Sequence, residues 1–218
     1  MKCRIEDLGI IAYTQAYRRQ KECVEEILRG EDAVLLLCEH PPVLTLGRLT
    51  KRENILWPRE EIIKKGFEIV PIDRGGDITL HSPGQLVVYP IFDLKIVGKD
   101  LKRYLRQLEE VVIDLLKEFD IVARRFLGQT GVWVQDKKIA SMGIGVKKWI
   151  SFHGVGLNVS TDLNLFSLIR PCGLNVTMTS LENIKQEVIP MAQVKSKMVE
   201  QFKEKFNLEC HHGKCYSA

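Results

Sequence analysis

Residues 100–119 carry apolar side chains at Leu101, Tyr104, Leu105, Leu108, Val111, Val112, Leu115, Leu116 and Phe119. Steps of three and four place all of them on one continuous stripe of a helix. A stripe this long has to be covered, so the helix must pack against a sheet. Two further helices are predicted. Residues 12–29 turn Tyr13, Tyr17, Val24, Ile27 and Leu28 to one face and stop at Gly30, and Pro190–Phe206 turns Met191, Val194, Met198, Phe202 and Phe206 inward. A short helix fits Pro58–Lys65, with proline in its first turn and Gly66 past its end.

The sheet has to come from the short apolar runs between the helices. Ala33–Cys38 reads as a buried strand, and Val43–Leu46 as a second one after the Pro41-Pro42 break. Glu68–Ile72 and Asp77–His81 read as strands around a Gly75-Gly76 turn, and Gln85–Ile91 follows. Ile121–Phe126, Gly131–Val134, Lys138–Val146 and Trp149–Val159 read as a meander, with tight turns at Asp136-Lys137 and Lys147-Lys148. Residues 161–169 form a connection. The class is α+β, largely antiparallel, and 218 residues that are 45% hydrophobic suffice for a single domain over 1–218. Residues from about 208 to 218 read as a flexible tail.

Charge narrows the function little. Thirty-two basic against 28 acidic residues give a formal +4, too mild to argue for nucleic acid. The Met-Lys-Cys-Arg start has no signal-peptide core and no run is long enough to span a membrane, so a cytoplasmic protein is expected. Cysteines 3, 23, 38, 172, 210 and 215 lack a framework spacing, and most are expected to be free thiols. The tail Cys210-His-His-Gly-Lys-Cys215 has zinc-ligand types, but adjacent histidines rarely converge on one ion; no metal is expected.

The chemistry concentrates elsewhere. Arg74-Gly-Gly-Asp-Ile-Thr-Leu-His-Ser-Pro-Gly-Gln85 places glycines and a histidine between two strand-like runs. Glycine lets backbone approach a ligand closely and leaves amides free to donate. Downstream come Lys138-Ile-Ala-Ser-Met-Gly143, His153-Gly-Val-Gly-Leu-Asn158 and Pro171-Cys-Gly173. Together they suggest a cysteine and a lysine handling an acyl group beside a glycine-lined wall. Cys172 is the sharpest candidate, although a free cysteine is usually a small buried apolar residue. A catalytic one needs a group that favours the thiolate, and Lys138, His81 and His153 are the available activators. A lysine opening a strand usually faces solvent, but the small residues after Lys138 would let it point inward. His81 and His153 read also as satisfied structural histidines. Glycines 75, 76, 143, 154 and 156 would leave backbone amides accessible to an acyl carbonyl or its oxyanion. The spacings of a P-loop and of a dinucleotide fingerprint are absent.

These segments, with Glu39-His-Pro-Pro-Val-Leu-Thr-Leu-Gly-Arg48, Tyr89-Pro-Ile91 and Gly131-Val-Trp-Val134, run in the order found in lipoyl(octanoyl) transferases, which the chain resembles over residues 39–173. The glycine-rich motif is shared with lipoate ligases; its combination with Pro-Cys-Gly and Lys-Ile-Ala is the specific part. The resemblance implies a large mixed sheet and a smaller one with flanking helices, related to biotin and lipoate protein ligases. It implies Cys172 as acyl-thioester nucleophile and Lys138 as the residue lowering its pKa. It implies substrate binding by Arg74, Gly75, Gly76, Asp77, Ile78, Thr79, Leu80 and His81, by Ser141, Met142 and Gly143, and by Gly154, Val155 and Gly156. Asp77 stands where that family often has glutamine, and Gly156 where it often has alanine. Octanoyl-acyl carrier protein would be the donor, and apo-lipoyl domains of 2-oxoacid dehydrogenases and glycine cleavage H protein the acceptors, with no cofactor. The same scaffold also supports an ATP-dependent ligase or an amidotransferase. A Cys172–His153 hydrolase and a non-catalytic acyl-protein binding module are the readings from other classes.

Overall fold

The computed structural model describes residues 1–171 and 176–212, with only the backbone of His212. Helix α1 spans Tyr13–Leu28, α2 Arg59–Lys64, α3 Leu101–Lys117, α4 Leu181–Lys185 and α5 Met191–Phe206. The strands are β1 Lys2–Ile10, β2 Ala33–Glu39, β3 Val43–Leu46, β4 Glu68–Pro71, β5 Ile78–His81, β6 Gln85–Ile91, β7 Val132–Val134, β8 Lys137–Lys147, β9 Ile150–Asn158 and β10 Glu209–His212. Seven strands form a mixed sheet in the order β10-β1-β2-β6-β9-β8-β7, and three form a small sheet, β4-β3-β5. The expected class and the two-sheet architecture are both present.

The stripe on α3 does what its spacing dictates. Leu108, Val111, Val112, Leu115 and Leu116 are fully buried in a core shared with α5 and one face of the large sheet. Each contributes about 1.5–3 kcal/mol of apolar burial. The Asp100 carboxylate caps the helix by accepting from the Lys102 and Arg103 amides. Strand β2 is central, so its side chains alternate between two cores: Ala33, Leu35 and Leu37 join the α3 side, while Val34, Leu36 and Cys38 join the α1 side. A third core, around Leu44, Ile62, Phe67, Ile78 and Leu80, holds the small sheet and α2.

Several expectations are corrected. Strands β4 and β5 are not a hairpin: β3 lies between them, parallel to β4 and antiparallel to β5, so Gly75-Gly76 belongs to a crossing over β3. Residues 121–126 are not a strand; a single bridge joins Arg124 to Trp133. Both hairpin turns sit one residue away from their expected places, at Gln135-Asp136 and Lys148-Trp149. Lys148 and Trp149 have φ of 51° and 69°, a conformation that glycine or asparagine would normally announce. Strand β1 was not anticipated, and neither was β10, which pairs parallel with it from Lys2↔Glu209 to Ile5↔His212. Residues 209–212 of the expected tail therefore lie in the sheet.

Candidate active site

The glycine-containing segments meet where the two sheets abut. Strands β8 and β9 set Ser141, Met142 and Gly143 opposite Gly156, Val155 and Gly154. Strand β6 lies on the other side of β9, with Val87 opposite Gly156 and Val88 opposite Val155. A side chain at Gly154 is impossible without movement, because its Cβ would stand 2.2 Å from the Val88 carbonyl oxygen. The Arg74–Asp77 crossing is tied to this wall by the Gly75 amide, which donates to the Ile144 carbonyl at 2.9 Å.

A cleft of about 480 Å³ opens on the α1 face of the large sheet. Arg74, Thr79, His81, Ser141, Met142, Gly143, Gly154, Val155 and Gly156 of the expected binding residues line it. A wider cleft of about 1220 Å³ adjoins it across Met142 and Gly143, lined by Gly75, Gly76 and Asp77 from one side and by Gly128, Gln129 and Thr130 from the other. Ile78 and Leu80 take the alternate face of β5 and are buried in the small-sheet core. Thr79 and His81, on the other face of the same strand, line the first cleft. Asp77 accepts from the amides of Ile78 and Lys51 at 2.7 and 3.3 Å and from the Asn54 amide group, so it fastens the 51–55 loop beside the wider cleft. The Arg74 guanidinium is buried and donates to the Thr45 carbonyl at 2.9 Å and to the Gly75 carbonyl at 3.0 Å.

One wall of the first cleft is a column of imidazoles and phenols. His40 Nδ1 lies 2.7 Å from the Ile11 carbonyl, which can only accept, so Nε2 is the bare nitrogen and receives the Tyr89 hydroxyl at 2.7 Å. His81 Nδ1 donates to Gln85 Oε1 at 2.6 Å, while the Gln85 amide group donates to Asn158 Oδ1 at 2.9 Å. Asn158 in turn donates to the Thr179 carbonyl at 3.0 Å, which fixes both amide orientations and the His81 tautomer. Burial pushes His40 down to about 4 and His81 down to about 3. Tyr13 stacks on His81, and burial raises its hydroxyl pKa.

His153 lies within β9 at φ 58°, its ring stacked on Tyr17 of α1. Its Nε2 bonds Asp73 at 3.0 Å and its Nδ1 lies 3.3 Å from the Tyr13 hydroxyl. Asp73 also accepts from Tyr17 at 2.7 Å and from Lys21 at 2.6 Å. The His153 bond, with Lys21 and Tyr17 behind it, holds the Asp73 carboxyl well below the usual range. Both ring nitrogens of His153 are thus engaged by groups on the α1 side. Tyr13, His40, Asp73 and Tyr89 were not singled out as site residues; the tyrosines read as helix and strand packing, and only the Glu39-His-Pro-Pro segment hinted at His40.

Behind the Thr130 side of the wider cleft lies Lys138, which is fully buried. Its Nζ donates to the Thr130 carbonyl at 3.0 Å and stands 5.0 Å from the centre of the Trp133 ring. Its main chain pairs with the segment beyond Pro171-Cys172-Gly173: the Lys138 amide donates to Thr177 and the Thr179 amide to Lys138, each at 2.9 Å. Cys172 and Gly173 lie outside the described residues. Among the described residues, no three histidine, cysteine or acidic side chains are grouped to hold a metal ion, and no helix is long and apolar enough to cross a membrane.

Two abutting sheets with a glycine wall between them define the class of catalytic domain found in lipoate and biotin protein ligases. Lipoate-protein ligase A bound with ATP has this fold at a TM-score of 0.76 and 17% identity, over 98% of this chain and 89% of that one. Biotin protein ligase from Aquifex aeolicus matches at 0.57 and 15%, over 95% and 70%. The model of the lipoyl protein ligase A/B catalytic domain matches residues 12–203. An octanoyltransferase of Syntrophotalea carbinolica is 46% identical over 200 residues, 91% of this chain and 92% of that protein. One from Caldicellulosiruptor saccharolyticus is 45% identical over 210 residues, 94% and 89%. The chain belongs to the lipoyl protein ligase A/B catalytic-domain family, among its octanoyltransferases, and is an acyltransferase.

Proposed function

We propose that this enzyme moves an octanoyl group from octanoyl-acyl carrier protein to a lysine of an apo-lipoyl domain, through a thioester on Cys172. The observation that carries the reading is Lys138: a fully buried cation at the start of β8, its main chain paired with residues 177–179, downstream of the Pro171-Cys-Gly segment. A buried ammonium is costly unless it is used or paired. Beside a thiol it favours the thiolate.

In the first half-reaction the Cys172 thiolate attacks the donor thioester carbonyl. The new carbon–sulfur bond forms as the carrier's carbon–sulfur bond breaks, and the leaving thiolate takes a proton from Lys138. In the second, the neutral amine of the acceptor lysine attacks the octanoyl-enzyme, its proton passes to Lys138, and Cys172 leaves as thiolate. One thioester replaces another and then becomes an amide, so positioning and oxyanion stabilisation are the main requirements, and no cofactor enters. The acyl chain would lie in the cleft between Val87, Tyr89 and the Gly154–Gly156 wall. Arg74–His81, Ser141–Gly143 and Gly154–Gly156 act as the binding segments. The protein works as a single catalytic domain, in the cytoplasm. A His153 hydrolase is disfavoured, because both nitrogens of that ring already have protein partners.

Because relatives of this fold include a ligase bound with ATP, the test is a donor panel. Octanoyl-acyl carrier protein without ATP should octanoylate an apo-lipoyl domain. Transfer only from free octanoate with ATP would replace the reading with a ligase.

A further inference from the structure

We propose that Glu109 is the positioning residue for Lys138, acting through the single peptide group that joins Thr130 to Gly131. This inference rests on the Lys138–Cys172 reading above and adds the group that sets the lysine in place.

Glu109 lies on α3 next to Leu108 and close to Val111, and is itself fully buried. The apolar stripe has no need of a carboxylate there, and an unpartnered one would be strongly destabilising. Its Oε2 accepts from Arg106 at 2.6 Å and from Arg125 at 3.0 Å. Its Oε1 turns the other way and accepts the Gly131 amide at 3.0 Å. The carbonyl of that same peptide unit, Thr130 O, is the acceptor of the Lys138 ammonium at 3.0 Å. In a trans peptide the N–H and C=O point in opposite directions, so carboxylate and ammonium bind the two ends of one planar dipole. Bonds in such a chain polarise one another.

Among the described residues, 125–131 form no strand or helix; they make up the loop closed at its base by the Arg124–Trp133 bridge. Gly131 adopts φ 142°, and a Cβ on it would stand 2.5 Å from Lys138 Cε and 2.8 Å from the Ala140 carbonyl. Lysine and glycine are therefore in direct packing contact, and a shift of the 124–131 segment carries over to the ammonium. Thr130 also lines the wider cleft, so the middle of the relay borders that cleft.

The test separates reach from charge. Glu109→Asp keeps the charge but is one methylene too short for the Gly131 amide. Glu109→Gln keeps the reach and loses the charge. Cys172 alkylation by iodoacetamide is followed as a function of pH in each, together with Lys138→Met and the Glu109→Asp/Lys138→Met double variant. Lys138→Met should move the thiol midpoint upward. Glu109→Asp should move it the same way, add nothing in the double variant, and lower kcat about 10- to 100-fold with KM held. Glu109→Gln should stay near wild type. A wild-type midpoint for Glu109→Asp beside a shifted Lys138→Met would overturn the inference and leave the dyad standing. So would additive shifts, or loss in Glu109→Gln alone. An unshifted Lys138→Met would remove the dyad and this inference with it. If Glu109→Asp does not fold, amide exchange at Gly131 decides the point: it should be slower in wild type than in Lys138→Met, and equal rates would contradict the relay.

Discussion

The polar groups behind the two clefts are both buried, yet they are built in opposite ways. On the α1 side, His40 accepts from Tyr89, His81 donates to Gln85 and Tyr13 stacks on His81, each of these two imidazoles held in one tautomer by a carbonyl or an amide oxygen. On the α3 side, Lys138 and Glu109 are formal charges with a peptide group between them. A neutral wall can border an acyl chain without demanding a counterion. A charged wall can hold a thiolate and move a proton. The difference teaches that burial alone does not mark a catalytic group; what its bonds leave it able to exchange does.

That contrast can be broken at either wall. Lys138→Met removes the cation while keeping an unbranched side chain, and should lower transfer by about 10²- to 10⁴-fold with the fold intact. Transfer within a few-fold of wild type, measured with saturating donor and acceptor, would leave the charged wall without a role.

Acid tests the neutral wall. Burial depresses His40 to about 4 and His81 to about 3, against an ordinary 6.5 in the unfolded chain. Below pH 6.5 the unfolded state therefore binds protons that the folded state refuses. Their contribution is fully present above pH 6.5 and drains away as pH falls toward 4, by up to about 1.4 kcal/mol per pH unit for each histidine. Thermal unfolding followed from neutral pH to pH 5 should show Tm falling, and His40→Gln should flatten the fall. A Tm that holds across that range would mean the column accepts protons freely.

The smallest effect is expected at Gly156. A Cβ there would stand 3.0 Å from Gln85 Oε1 and 3.7 Å from His81 Cε1. Gly156→Ala should cost no more than about 1.5 kcal/mol, since a side chain rather than backbone has to give. It should raise KM several-fold for acyl donors longer than octanoyl. An equal change for all chain lengths would move the acyl chain away from this wall.

The sequence made some of this legible and hid the rest for physical reasons. Local periodicity exposed α1, α3 and α5, and short apolar runs between turn residues exposed β2, β6, β8 and β9. It could not show that β3 separates β4 from β5, because pairing between distant strands leaves no local mark. Strand β1 was hidden because its buried positions, Cys3, Ile5-flanked Glu6 and Leu8, do not alternate cleanly and its partner β10 lies at the far end of the chain. The motif segments lining the cleft were visible as clusters of glycine. Asp73, Tyr13 and Glu109 were not, since each looks like an ordinary helix or loop residue until the fold brings its partner across.

The most direct test of the central claim is intact-protein mass spectrometry after mixing the enzyme with octanoyl-acyl carrier protein in the absence of ATP. The account predicts one octanoyl adduct on wild type, none on Cys172→Ala, and its discharge when apo-lipoyl domain is added. No adduct on wild type, or an adduct on Cys172→Ala that the apo-lipoyl domain still discharges, would contradict it.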